Sequence, residues 1–182
     1  MSRNYKFRDQ SKPYFVTFSI IQWIDVFIRP EYQEILINSI NHCIEHKGLE
    51  VYAWCIMSSH VHLAIGTLEN PMQHIVRDLK KWTSIKLYDA IQEHPQESRK
   101  EWLKWMFDRA GRYNSNNTNF QVWQQHSHPI ELSSAYLVKQ KIDYIHNNPV
   151  KARIVNEPQH YLHSSAYDYT GGKGPIPITF AF

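Results

Sequence analysis

Two neighbouring stretches, Val51 to Met57 and Val61 to Ile65, constrain what this chain can fold into more than any other part of it. The first is a continuous apolar run of strand length, suited to a strand buried on both faces. In the second, Val61, Leu63 and Ile65 alternate with other residues, and a strand sends successive side chains to opposite faces. Two adjacent strands are expected here, with the rest of the chain packed around them.

The flanking segments complete an alternating order. Tyr14 to Ile21 is rich in β-branched and aromatic residues and reads as a strand. Pro30 opens a helix with Leu36, Ile40, Cys43 and Ile44 on one face, and Gly48 closes it. Asn70 can cap and Pro71 can start a second helix, on which Met72, Ile75, Val76 and Leu79 make an apolar stripe. From about Ala90 to Asn119 the pattern weakens; Trp102, Trp105 and Met106 fit a short amphipathic helix ahead of a polar loop, Gly111 to Asn119. Phe120 to Gln124 reads as a fourth strand, and a last helix runs from about Ser133 to Asn147, where Pro149 stops it.

The sum is βαββαβ plus a helix. That order is the α+β, ferredoxin-like split βαβ arrangement, an antiparallel sheet with helices packed on one face and the other face free for chemistry. All 182 residues are expected in one domain, with an irregular tail from about residue 156.

Composition narrows the function classes. No apolar stretch approaches the roughly 20 residues of a membrane span, and Met1 to Lys12 lacks the apolar core of a secretory signal, so a cytoplasmic address is expected. Cys43 and Cys55, the only cysteines, lie in separate apolar segments and read as core fillers, not as a disulfide or thiolate zinc site. A formal charge of +3 and a pI near 8.8 are compatible with a polyanionic partner. The 11 histidines and 14% aromatic residues supply the side chains that metal binding and base stacking use.

His60 and His62 are separated by one residue, so on a strand both imidazoles share a face while Val61 and Leu63 point the other way. Such a pair can bind a divalent cation that polarises a phosphate oxygen; half-exposed histidines on a sheet show the same spacing. In the last helix Val138, Ile142 and Ile145 form the core stripe, and Lys141, Tyr144 and Asn148 line the stripe beside it. A phenol and an amide one turn apart can therefore address one site. A tyrosine hydroxyl, whose ordinary pKa is about 10, needs a polarised phosphate or a cation such as Lys141 to act as a nucleophile.

The segments Trp54-Cys55-Ile56-Met57-Ser58-Ser59-His60-Val61-His62 and Tyr144-Ile145-His146-Asn147-Asn148-Pro149-Val150-Lys151-Ala152 resemble the two signatures of the IS200-like Y1 transposases. More narrowly, the chain is similar to the REP-associated tyrosine transposases, with Phe120-Gln121-Val122-Trp123-Gln124 and Ser164-Ser165-Ala166 adding to the likeness between Tyr14 and about Tyr169. The resemblance implies an HUH-type single-tyrosine nuclease in which His60 and His62 hold Mg²⁺ or Mn²⁺ and Tyr144 attacks a phosphodiester of single-stranded DNA. A 5′-phosphotyrosine link and a free 3′-hydroxyl would result, so that cleavage and rejoining need no nucleotide cofactor. The third ligand lies four residues after the tyrosine and is commonly glutamine in insertion-sequence members; here it is Asn148, with His146 or water as alternatives.

The implied partner is hairpin DNA next to a short cleavage sequence, of the kind formed by dispersed palindromic repeats in bacterial chromosomes. Arg77, Lys80 and Lys81 on the second helix, and Arg3, Lys6, Arg8 and Lys12 near the start, could contact phosphates, though solvated faces look the same; Trp123, His126 and His128 could contact unpaired bases, with core packing an equal reading for Trp123. A homodimer sharing active sites by exchange of the tyrosine helix, as in insertion-sequence members, is one assembly the resemblance allows, and a lone chain is the other. Two other readings fit parts of the pattern. A non-catalytic hairpin-binding protein would use the same sheet without chemistry, and a zinc hydrolase would use His60 and His62 but leave Tyr144 dispensable.

Overall fold

The structure, a computed structural model, describes residues 6–114 and 119–180. Its frame is a four-stranded antiparallel sheet of β1 (Tyr14–Ser19), β2 (Leu49–Ile56), β3 (His60–Thr67) and β4 (Ile130–Glu131) in the order β2-β3-β1-β4. β1 and β2 are separated by β3, which runs antiparallel to both, as the split βαβ arrangement requires. Helices α1 (Pro30–Lys47), α2 (Met72–Glu93) and α3 (Lys100–Arg112) follow β1 and β3, and α4 (Ala135–Lys151) follows β4.

The larger core lies between one sheet face and α1 to α3. Tyr14, Val16, Phe18, Val61, Leu63 and Ile65 face Leu36, Ile40, Ile75, Leu79 and Phe107 there. A smaller cluster on the opposite face joins Phe15, Ala53, Cys55 and Ala64 to Val138, Ile142 and Ile145 of α4. The two crossover helices thus take one face as expected. α4 brings its tyrosine onto the other, beside the histidines.

The boundaries follow local chemistry. Pro30 sits in the first turn of α1, and Gly48 ends it at φ 66°, a left-handed conformation that glycine adopts without steric cost. α2 is not capped by Asn70: that side chain donates to the Lys47 carbonyl, and Gln10 Oε1 accepts the Met72 N–H at 2.7 Å instead. α3 is longer than its weak pattern suggested and includes Gly111. Part of the polar loop placed at Gly111 to Asn119 lies outside the described residues.

Two expectations fail for physical reasons. Phe120 to Gln124 is not a strand; only Trp123 makes a bridge, to Ile20, and regular pairing with β1 begins at Ile130 and Glu131. The Lys80 ammonium donates to the carbonyls of Gln124 and Gln125, at 2.6 and 3.2 Å, drawing them toward α2. The segment still follows β1 intermittently, Gln124 N–H donating to Ser19 and Thr17 N–H to Ser127. Nor does Pro149 stop α4 at Asn147: it lacks the N–H that would bond to the preceding turn, yet the Ala152 N–H donates to the Asn148 carbonyl and the Ile154 N–H to the Pro149 carbonyl, and the helix runs on to Lys151.

Candidate functional site

Both histidines owe their position to the turn between β2 and β3. Met57 N–H donates to the His60 carbonyl at 2.8 Å, while Ile20 and Phe27 donate to the carbonyls of Ser59 and Ser58, clamping the turn from outside. Opposite His62 and His60 on β1 stand Thr17 and Ser19. The two imidazoles lie on the α4 side of the sheet, with ring centroids 4.7 Å apart.

His62 is only 4% exposed, and it is fixed on two sides. Its ring stacks on Phe15 at 5.6 Å, and its Nδ1 lies 2.9 Å from Thr17 Oγ1. Burial first, then the neighbouring His60, drives its pKa down to about 3, so the ring is neutral near pH 7. Among the described residues the buried Nε2 has no hydrogen-bond partner. An N–H there would be an orphaned donor, so the economical tautomer puts the proton on Nδ1, facing Thr17, and leaves a lone pair at Nε2. His60 is held at Nδ1 by Ser59 Oγ at 3.2 Å, and burial lowers its pKa against the pull of Asp25.

α4 completes the group. The Tyr144 ring meets His62 edge to face at 5.3 Å and Phe15 at 5.7 Å. Two ammonium groups flank it, Lys141 Nζ 5.3 Å and Lys151 Nζ 5.2 Å from the ring centroid. Asn148 donates its amide N–H to the Tyr144 carbonyl at 2.7 Å, and its side chain approaches His62 outside hydrogen-bond geometry, near enough to favour the charged imidazole. His146 turns the other way, buried against Ser165 Oγ at 2.8 Å, so it is already occupied as an alternative donor. Among the described residues no group of three His, Cys, Asp or Glu side chains gathers.

The candidate DNA contacts fare unevenly. Lys141 lies in the site, over Phe15 at 4.6 Å. Arg77, Lys80 and Lys81 belong to α2, which packs on the opposite face of the sheet. Arg77 is exposed and paired with Asp78, and Lys81 is exposed. Lys80 is spent on the Gln124 and Gln125 carbonyls, and burial lowers its pKa to about 8. Trp123 is a correction: it is 4% exposed, packs against Phe18 and Phe27, and donates its indole N–H to Thr83. Lys6, Arg8, His126 and His128 are exposed, while Arg3 lies outside the described residues.

Sequence reasoning missed Thr17, Phe15 and Lys151. The first two become visible only once the β1–β3 register is known. Lys151 lies two turns beyond Tyr144 on the same helical face, a signal hidden by ending the helix at Asn147.

Residues 16–140 match the model of a family described as transposase IS200-like. A solved structure described as a REP-associated tyrosine transposase bound to a REP hairpin overlays with a TM-score of 0.68 at 17% identity, covering 100% of this chain and 92% of that one. A candidate transposase from Deinococcus radiodurans R1 overlays more loosely, with a TM-score of 0.46 at 17% identity over 81% of this chain and 95% of that one. No curated protein sequence matches the chain. Among the described residues no helix is long and apolar enough to cross a membrane.

Proposed function

This chain belongs to the IS200-like transposase family, and from that membership we propose that it cleaves and rejoins single-stranded DNA beside hairpins through a covalent link to Tyr144. The family match ends at residue 140, so the role of Tyr144 rests on one observation, the meeting of its ring with neutral His62, which itself meets His60 on the same sheet face. The hairpin held by the similar structure supports hairpin DNA as the partner.

In this reading the Tyr144 oxygen attacks a phosphorus, an O–P bond forms, and the bond to the 3′-oxygen breaks, leaving a 5′-phosphotyrosine and a 3′-hydroxyl. Lys141 and Lys151 provide positive charge for the phenolate and for the phosphate oxygens. Thr17 and Phe15 hold the His62 ring in place, and His60 is held by Ser59.

The divalent metal that the family resemblance implies fits these residues: the buried Nε2 of His62 lacks a partner, and both imidazoles are disposed to stay neutral. His60, His62 and Asn148 would hold it, and when bound it supplies Lewis-acid polarisation of the phosphate.

The test is to incubate the protein with end-labelled single-stranded hairpin DNA from the flanks of its own gene, with Mg²⁺ or Mn²⁺, and to resolve the products on a denaturing gel. A protein-linked 5′ product should form and should vanish with Tyr144→Phe and with EDTA. Binding of the hairpin without metal-dependent cleavage would instead favour a non-catalytic binding protein.

A further inference from the structure

Between β1 and α1 the chain passes through two successive non-glycine residues in the left-handed region, Gln22 at φ 52° and Trp23 at φ 55°. Such a conformation is strained for residues with side chains, and it persists only where surrounding contacts enforce it. The enforcement is visible: Trp23 and Ile24 donate to the carbonyls of Ile20 and Ile21, which belong to the buried core, and the Gln124 amide also reaches Ile20. What the strained turn displays is an indole that is 56% exposed. An exposed tryptophan alone is unremarkable. This one stands edge to face against His60, 5.1 Å between centroids.

Four rings therefore follow one another across the sheet, Tyr144 to His62 at 5.3 Å, His62 to His60 at 4.7 Å, and His60 to Trp23 at 5.1 Å. Tyr144 stands at one end of the file and Trp23 at the other. An in-line displacement places the leaving oxygen on the side of the phosphorus away from the nucleophile. With attack from the Tyr144 end, the nucleotide that carries the departing 3′-oxygen lies toward the Trp23 end.

We propose that Trp23 is the stacking platform for the base of that nucleotide, on the 5′ side of the scissile phosphate. Stacking would hold the freed 3′-hydroxyl in place for rejoining, and it would favour cleavage where that base is unpaired. The inference rests on the cleavage reading above. The step itself needs no added reactant: the Tyr144 hydroxyl gives its proton to solvent as its O–P bond forms, the P–O3′ bond breaks, and the 3′-oxygen takes up a proton from solvent.

The experiment couples protein and DNA changes. Wild type, Trp23→Phe and Trp23→Ala are titrated in EDTA with single-stranded flank DNA carrying an abasic unit at one position at a time on either side of the cut, and cleavage is followed in parallel with Mn²⁺. Circular dichroism and thermal melting confirm that each variant folds. Removing the base 5′ to the cut should weaken wild-type binding by about 10- to 100-fold, Trp23→Ala should do the same, and the combination should lose no more than either alone. Trp23→Phe should keep most of the affinity. Additive losses at that position, coupling to the base 3′ of the cut, or unchanged binding by folded Trp23→Ala would each overturn the proposal. Coupling of Trp23 to a base with no cleavage at any position would sink the cleavage reading and the platform with it, reducing Trp23 to a base contact of a binding protein; cleavage without coupling would keep the cleavage reading and overturn the platform alone.

Discussion

At His62, burial drives the imidazole pKa to about 3, and at His146 burial drives it to about 4, against an ordinary value of 6.5. Protons therefore bind the unfolded chain first as the pH falls. The metal-free protein should be level in stability above pH 6.5 and lose stability through the window from 6.5 down to the folded values. Each of these histidines should cost about 2 kcal/mol at pH 5 relative to pH 7.5. Thermal melting in EDTA at the two pH values checks this, and His146→Gln should flatten the fall; an unchanged slope would show that burial of His146 does not set it. Thr17 makes a different prediction. Its hydroxyl lies 2.9 Å from His62 Nδ1 and anchors that side of the ring, so Thr17→Val should weaken activation of cleavage by Mn²⁺ by about 10- to 100-fold. The Mn²⁺ dependence of the rate should shift to higher concentration while the fold is kept; an unshifted curve would remove Thr17 from the site.

Among the elements, α2 and the segment after Phe120 depend on one another through Lys80. Its ammonium reaches two main-chain carbonyls and Ser127 Oγ, and it lies over the Phe18 ring, 5.6 Å from the centroid. Lys80→Met keeps the stem and strands the carbonyls, at a cost of about 2 kcal/mol. Urea denaturation should show that loss, with hairpin affinity unchanged apart from it. A selective loss of affinity at intact stability would restore Lys80 as a phosphate contact.

Across the whole molecule, the C-terminal segment closes an edge that the sheet would otherwise leave open. Ile56 N–H donates to the His163 carbonyl, Ser165 N–H to Trp54, and Thr179 N–H to Val51. The Tyr161 and Tyr169 hydroxyls donate to Ile56 and Tyr52. Ser165 Oγ accepts the Trp54 N–H at 2.9 Å and also meets His146, tying β2, α4 and the tail at one atom. The tail is irregular in form yet integral to the fold. A chain ended after Asn156 should expose β2 as an unpaired edge, melt at lower temperature and associate as concentration rises, as read by light scattering. A truncated protein that stays monomeric and equally stable would show the edge cover to be dispensable.

The period-two and helical repeats in the sequence were enough to set the split βαβ frame, though not the residues of its fourth strand, because apolar periodicity dictates which face each element buries. They also put His60 and His62 on one face and Tyr144, Lys141 and Asn148 on one side of a helix, since those relations are local and fixed by backbone geometry. Everything that joins distant segments waited for the fold. The Thr17–His62 register, the fate of Lys80, the burial of Trp123 and the placement of Trp23 beside His60 depend on how strands and loops meet. No local pattern encodes a carbonyl claimed by a lysine 44 residues away. Such partners are chosen by long-range packing, where satisfying buried polar groups outweighs the propensity of any single segment.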